Sequence, residues 1–172
     1  MLKIFHAPLR GQNGSPAVYS LLEYAFKKEY GESLPDIVKT ANGKPFFPDR
    51  PEVHFSLSHA KTHVLCALSD CPVGADIESP RLISERAIQY FCSPNELTLF
   101  DPLDLWVLKE SYIKLIGGTL ALVKTIHFSC ESGNIITPDK SSISKLYRIG
   151  ECRAAVSVKG NLMPESVELA QQ

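Results

Sequence analysis

The chain has 172 residues, 44% hydrophobic and 22% charged, the ordinary make-up of a soluble globular protein with room for one compact domain or two small halves on a shared core. A formal net charge of −1 excludes a global drive toward nucleic acid or an anionic membrane, so any phosphate site must be a local cluster of Lys, Arg and His. Five scattered cysteines without C-x-x-C spacing argue against a disulfide framework or a structural zinc site, and read as small buried hydrophobes.

MLKIFHAPLR reads as a short strand over 2–6, with no apolar run leading to a small-residue cleavage site. No stretch approaches membrane-spanning length, and a cytoplasmic protein is expected. After the loop GQNGSP, Ser15 as cap and Pro16 as first helical residue predict a helix to Tyr30 that stops at Gly31. Its apolar stripe is Val18, Leu21, Leu22, Ala25 and Phe26. DIVKT reads as a strand, and ANGKPFFPDRP as a Pro/Gly-rich connection. VHFSLSH alternates Val53, Phe55 and Leu57 with His54, Ser56 and Ser58. With HVLCALS and VGADIE, separated by short turns, it predicts an antiparallel meander.

Three helical signals follow. SERAIQYF is short, and SPNELTLF opens on a capping box of Ser93 and Glu96 with Pro94 between them. DLWVLKESYIKLIGG starts after Asp104 or Asp101 and ends at Gly117-Gly118. IHFSC, NIITP, KLYRIG and RAAVSV read as strands divided by turns, and residues 161–172 as a flexible tail. The fold class is α+β, antiparallel strands packed against helices.

VGADIE carries Asp76 and Glu78 on one strand face, roughly 6.5–7 Å apart at Cα, with Ile77 directed to the core. Adjacent carboxylates repel and raise each other's pKa, whereas a divalent cation turns that repulsion into attraction and favours oxygen ligands plus substrate phosphate. D-x-E is short and common, and on the pair alone two unrelated solvated acids are the better account. The helix adds Trp106, Glu110 and Lys114 at i, i+4 and i+8 along one stripe, with Lys109 adjacent and Leu105, Leu108, Tyr112, Leu115 and Ile116 facing the core. Either Glu110 and Lys114 form a surface pair worth about 0.3–0.5 kcal/mol, or Glu110 is a third acid for the metal and Lys114 a cation for a phosphate oxygen. Ser58, His59 and Lys61 close a strand, and Lys44 sits in the GKP loop; such groups near a turn bind phosphate through charge-assisted hydrogen bonds, although a lone histidine there is more often structural.

The ordered set GKPFF, VHFSLSH, CALSDCPVGADIE and LWVLKESYIKLIGG resembles the 4′-phosphopantetheinyl transferases, most closely the surfactin-synthetase-activating, or Sfp-type, class, over about residues 42–120. The family's G-x-D-x-E stands as Gly74-Ala75-Asp76-Ile77-Glu78, and its W-x-x-K-E-[AS]-x-x-K as Trp106 to Lys114. The resemblance implies a fold of two pseudo-related halves. It also implies transfer of the phosphopantetheine arm of coenzyme A to a serine of an apo acyl or peptidyl carrier protein, with adenosine 3′,5′-bisphosphate leaving. Asp76, Glu78 and Glu110 are then ligands of Mg²⁺, with Mn²⁺ as the alternative. Lys44, Ser58, His59 and Lys114 are coenzyme A contacts, with Ser58 and His59 at the 3′-phosphate. Glu110 and Lys114 are the catalytic pair, Glu110 being either base or ligand only.

The chain departs from the pattern in three places. Ala60 and Lys61 replace a small residue and glycine after SH, and Gly117-Gly118-Thr119-Leu120 lacks a basic residue between the glycines. The N-terminal half is abbreviated, so that residues 1–50 form a short first half and 51–160 the half carrying the motifs. The family's N-terminal arginine has only Arg10 as a candidate. A monomer is expected. Phe46, Phe47, Tyr90 and Phe91 are docking candidates for a carrier helix and equally candidates for the core. Two other readings stay open: a non-catalytic member that binds coenzyme A or a carrier protein, and a metal-dependent phosphohydrolase of coenzyme A.

Overall fold

The computed structural model describes residues 1–9, 11, 13–160 and 167–170. Its first part runs β1 (Leu2–Pro8), α1 (Gly14–Tyr30), the small hairpin β2 (Val38–Lys39) and β3 (Pro45–Phe46), then β4 (His54–His59) and β5 (His63–Ser69). The second runs β6 (Val73–Glu78), α2 (Glu85–Phe91), α3 (Pro94–Leu97), α4 (Pro102–Ile116), a 3-10 turn (Leu120–Lys124), the hairpin β7 (Ser129–Glu131) and β8 (Asn134–Ile136), β9 (Ser142–Ile149), β10 (Cys152–Lys159) and β11 (Glu168–Leu169). The class is α+β: β11-β1-β5-β4 form one sheet and β6-β10-β9 another, antiparallel except where β11 runs parallel to β1.

Period-two alternation sorts the side chains into three cores. Phe5 and Ala7 of β1, with Val64, Cys66 and Leu68 of β5, pack under α1 and its stripe Val18, Leu21, Leu22, Ala25 and Phe26. The opposite faces of the same strands, Ile4, Leu65 and Ala67, meet Val73, Ala75 and Ile77 of β6 and Ala154, Val156 and Val158 of β10. Beneath α4, Leu105, Leu108, Tyr112 and Leu115 pack with Ala155 of β10. Ile116, expected in this core, is exposed because the helix ends there and Gly117 takes a left-handed turn.

Four expectations change. β6 does not continue a meander: it pairs with β10 and lies beside β4 without a backbone ladder. Its two N–H groups on that side, Ala75 and Ile77, are accepted by Ser56 Oγ at 2.8 Å and Ser58 Oγ at 3.3 Å. Buried amides need partners, and the alternate serines of HFSLSH supply them. β4 and β5, placed in the second half by the expected boundary at 50/51, join the sheet of β1. α1 starts at Gly14 with Asn13 rather than Ser15 at the N-cap, and the ring of His59 packs against Gly14. Within the expected flexible tail, Glu168–Leu169 pairs with β1. α4 is capped by Asp101, whose carboxylate accepts from Leu103 N at 2.9 Å, with Pro102 following.

α4 packs directly on the backbone of Gly74, which faces it from β6. A Cβ there would stand 2.0 Å from Ser111 O and 2.3 Å from Leu115 N. Small Ser111 completes the approach: its hydroxyl meets Ser157 Oγ at 2.8 Å, which meets Ser144 Oγ at 2.7 Å, all three buried. Because Gly74, Asp76 and Glu78 share a face, this contact brings the two acids against the same helix.

Gly74→Ala is expected to displace α4 and cost about 3 kcal/mol or more. Gly31→Ala, at φ 71° with nothing within 4 Å of a new Cβ, is expected to cost only about 1 kcal/mol of backbone strain. Thermal denaturation should separate them by about 5 °C or more; equal losses would mean that the α4 contact yields easily.

Candidate active site

Asp76 is 5% exposed at the α4 face of β6. Its Oδ1 accepts from Ser58 Oγ at 2.8 Å and from Lys114 Nζ at 2.7 Å. Its Oδ2 is buried with no hydrogen-bond partner among the described residues. Two residues on, Glu78 Oε1 accepts from Trp106 Nε1 at 3.2 Å, and the Arg81 guanidinium approaches the same carboxylate at 3.4 Å. Arg81 also lies over the Trp106 ring, 5.8 Å from its centroid. Glu110 faces this pair from α4. Burial first, then the charges of Asp76 and Glu78, push its carboxyl from 4.5 up to about 7, against the pull of Lys114 and Arg81.

The donor set fits a hard divalent cation: a buried carboxylate oxygen lacks a partner, and Glu110 feels two nearby negative charges. The three acids are nevertheless not closed into a ready triad, for no group of three His, Cys, Asp or Glu among the described residues could hold an ion as it stands. Local cations take part of the acids' charge: the Lys114 ammonium rests on Asp76, and Arg81 on Glu78.

Lys114 and Lys44 line one cavity of about 260 Å³ with Asn42, Leu57 and Gly117. Lys114 Nζ also reaches Ala75 O at 3.1 Å and Leu57 O at 3.4 Å, one carbonyl from each side of the β4–β6 seam. Lys44 Nζ donates to Val73 O at 3.2 Å and Leu115 O at 3.1 Å, and burial pushes its pKa down to about 8. Ser58, expected at a 3′-phosphate, is 9% exposed, and its hydroxyl is held between Ile77 N and Asp76. His59 is exposed at the end of β4 with its ring against Gly14, outside that cavity's lining. Arg10 lies outside the described residues.

The residue that type and position did not reveal is Lys109. It is fully buried, and its Nζ donates to Phe91 O, to the Glu96 carboxylate at 3.1 Å and to Val123 O at 3.4 Å. Glu96 closes the Ser93 capping box and also accepts from Phe128 N at 3.0 Å. One ammonium thus ties α2, α3 and the 3-10 turn to α4. The capping box was visible in the sequence, but nothing local marked Lys109 as its partner. Above this tie lies a more apolar cavity of about 510 Å³, lined by Ala87, Tyr90, Phe91, Trp106, Leu120 and Val123. Of the four docking candidates, Phe47 and Phe91 are buried and Phe46 and Tyr90 exposed.

Two half-domains, each a sheet with one long helix, and an acid cluster with lysines where they meet define the class of architecture. Residues 72–158 match the family model of the 4′-phosphopantetheinyl transferase superfamily, and the chain belongs to that superfamily. It is 38% identical over 90 residues to 4′-phosphopantetheinyl transferase Sfp of Bacillus subtilis (strain 168), covering 46% of this chain and 40% of that protein. It is 37% identical over 89 residues to 4′-phosphopantetheinyl transferase gsp of Aneurinibacillus migulanus, covering 46% and 37%. With 4′-phosphopantetheinyl transferase ffp of Bacillus subtilis the identity is 35% over 114 residues, covering 59% and 51%. The matched region thus spans between about two fifths and one half of these curated relatives.

A carboxyl raised above its unfolded value destabilises the fold once it ionises. The Glu110 penalty is absent below about pH 4.5, grows as pH rises, and is complete above about pH 7. Glu110→Gln is therefore expected to match the wild type at pH 4.5 and, in chelator-treated protein at pH 8, to be more stable by on the order of 2 kcal/mol after allowance for solvent screening. Denaturant melts across that range check it; a pH-independent difference would mean that the Glu110 carboxyl is solvated and apart from the other acids.

Proposed function

We propose that the protein transfers the 4′-phosphopantetheine arm of coenzyme A to a serine hydroxyl of an apo acyl or peptidyl carrier protein, dependent on Mg²⁺, and releases adenosine 3′,5′-bisphosphate. The observation that carries this reading is the gathering of Asp76, Glu78 and Glu110 where β6 meets α4, with the Lys114 ammonium on Asp76. Asp76, Glu78 and Glu110 would hold the ion. When bound, it neutralises the diphosphate oxygens and stabilises charge on the leaving phosphate.

The chain's own groups account for the remaining requirements. Lys114 and Lys44 offer two ammoniums to phosphate from one cavity wall. A carboxylate on α4, aimed at the phosphate site, suits a base that must take a hydroxyl proton. Glu110 accepts the proton of the carrier serine as its oxygen bonds to phosphorus, and the phosphorus–oxygen bond to the nucleotide breaks. The apolar cavity beside Trp106 suits the pantetheine chain, which carries no charge. His59, at the open end of β4, remains the proposed 3′-phosphate contact. The chain is read as a monomer acting in the cytoplasm, and no helix among the described residues is long and apolar enough to cross a membrane.

The test is a mixture of protein, Mg²⁺, coenzyme A and an apo carrier protein, with the carrier then weighed. A gain of one phosphopantetheine that falls by at least about 100-fold in rate with Asp76→Ala or Glu110→Gln is expected. Binding of coenzyme A or carrier without mass gain would replace this reading with the non-catalytic one. Coenzyme A consumption with an unmodified carrier would make the protein a phosphohydrolase.

A further inference from the structure

Ser56 and Ser58 lie on the same face of β4 and do the same thing for β6. Each hydroxyl accepts one buried amide, Ser56 from Ala75 N at 2.8 Å and Ser58 from Ile77 N at 3.3 Å. They differ in where the hydroxyl proton goes: Ser58 Oγ donates to Asp76 Oδ1 at 2.8 Å. A serine has a single proton to give, and that of Ser58 is committed. Its side chain is also buried, and turning outward would give up both Ile77 N and Asp76.

We propose that Ser58 is a positioning residue for Asp76, holding its carboxylate by Oδ1 so that Oδ2 is kept for the divalent cation, and that it does not contact the nucleotide. This rests on the reading of Asp76 as a metal ligand. Three observations support it. Asp76 Oδ1 already has two donors, Ser58 and Lys114, while Oδ2 is buried without a partner among the described residues. A carboxylate in a strand has two free side-chain torsions, and a donor anchored to a neighbouring strand removes that freedom. Ser58 is so anchored, because the amide it accepts belongs to Ile77, the residue next to Asp76. The hydroxyl therefore ties the ligand's side chain to the ligand's own backbone across the seam.

The protein carries its own reporter. Trp106 is the single tryptophan of the chain, and its indole N–H donates to Glu78, the neighbouring acid. Its emission should respond when a cation recruits that carboxylate. The full chain is titrated with Mg²⁺ and with Mn²⁺, followed by Trp106 fluorescence and by calorimetry. Ser58→Ala is compared with Ser56→Ala, which removes the matching amide acceptor but touches no acid. Adenosine 3′,5′-bisphosphate is titrated separately in the presence of chelator.

Ser58→Ala is expected to weaken both metals by about 10- to 100-fold. Ser56→Ala should stay within about threefold, Ser58→Thr should recover most of the affinity, and bisphosphate binding without metal should not change. Should Ser58→Ala fail to fold, Ser58→Cys, close in volume and a weak donor, is expected to lose affinity in the same direction. The inference is overturned if the Ser58 variants lose no more metal affinity than Ser56→Ala, or if they lose bisphosphate affinity while binding metal normally, which would return Ser58 to the phosphate. If the wild type itself binds neither metal by either method, the metal reading falls, and this inference with it.

Discussion

A backbone-to-backbone contact between α4 and β6 at Gly74 governs the arrangement of this molecule. Every other residue type would hold the helix off the strand by the thickness of a side chain. With it in place, the alternating face of β6 that follows Gly74 must present Asp76 and Glu78 to α4, and the helical repeat returns Trp106, Glu110 and Lys114 to meet them. The electrostatic character of the site follows from this approach. Carboxylates that would be solvated on an open strand are desolvated beside one another, which raises Glu110 and draws Lys114 and Arg81 onto its neighbours.

The helix motif can then be read letter by letter. Trp106 donates to Glu78 and walls the larger cavity. Lys109 ties α2, α3 and the 3-10 turn to the helix through a buried ion pair. Such a pair is costly to desolvate and does not recommend itself as a source of stability, but it specifies which elements close over the cavity. Glu110 is the titratable group of the cluster. Ser111 permits close packing and joins the serine stack, and Lys114 neutralises Asp76. Three of the five positions thus serve the acids directly and two serve the frame around them.

Much of this was legible in the residues. The stripe of α1, the capping box of α3 and the span of α4 follow from periodicity and spacing, whereas the convergence of D-x-E with the helix acid was implied by the family resemblance. The pairing of β6 was not legible, since hydrophobic alternation reports which face of a strand is buried and not which edge is bonded. Here the edge facing β4 is served by Ser56 and Ser58, residues whose type is compatible with surface, turn or phosphate site alike. Ser58 and Lys109 were opaque for the same reason: a hydroxyl or an ammonium is assigned by its partners, and these lie 18 and 13 residues away in the chain.

The β4–β6 seam has a consequence for how the two halves respond to each other. In a continuous sheet, adjacent strands are locked by peptide groups that cannot be exchanged. Here the joint is made of rotatable hydroxyls on the amide side and of Lys114 on the carbonyl side, where it reaches Leu57 O and Ala75 O together. An incoming anion that recruits Lys114 draws on the same ammonium that stitches the halves, so loading and interdomain stiffness are thermodynamically linked quantities. Under the proposed function, the ammonium that fastens this crevice is also its anion receptor.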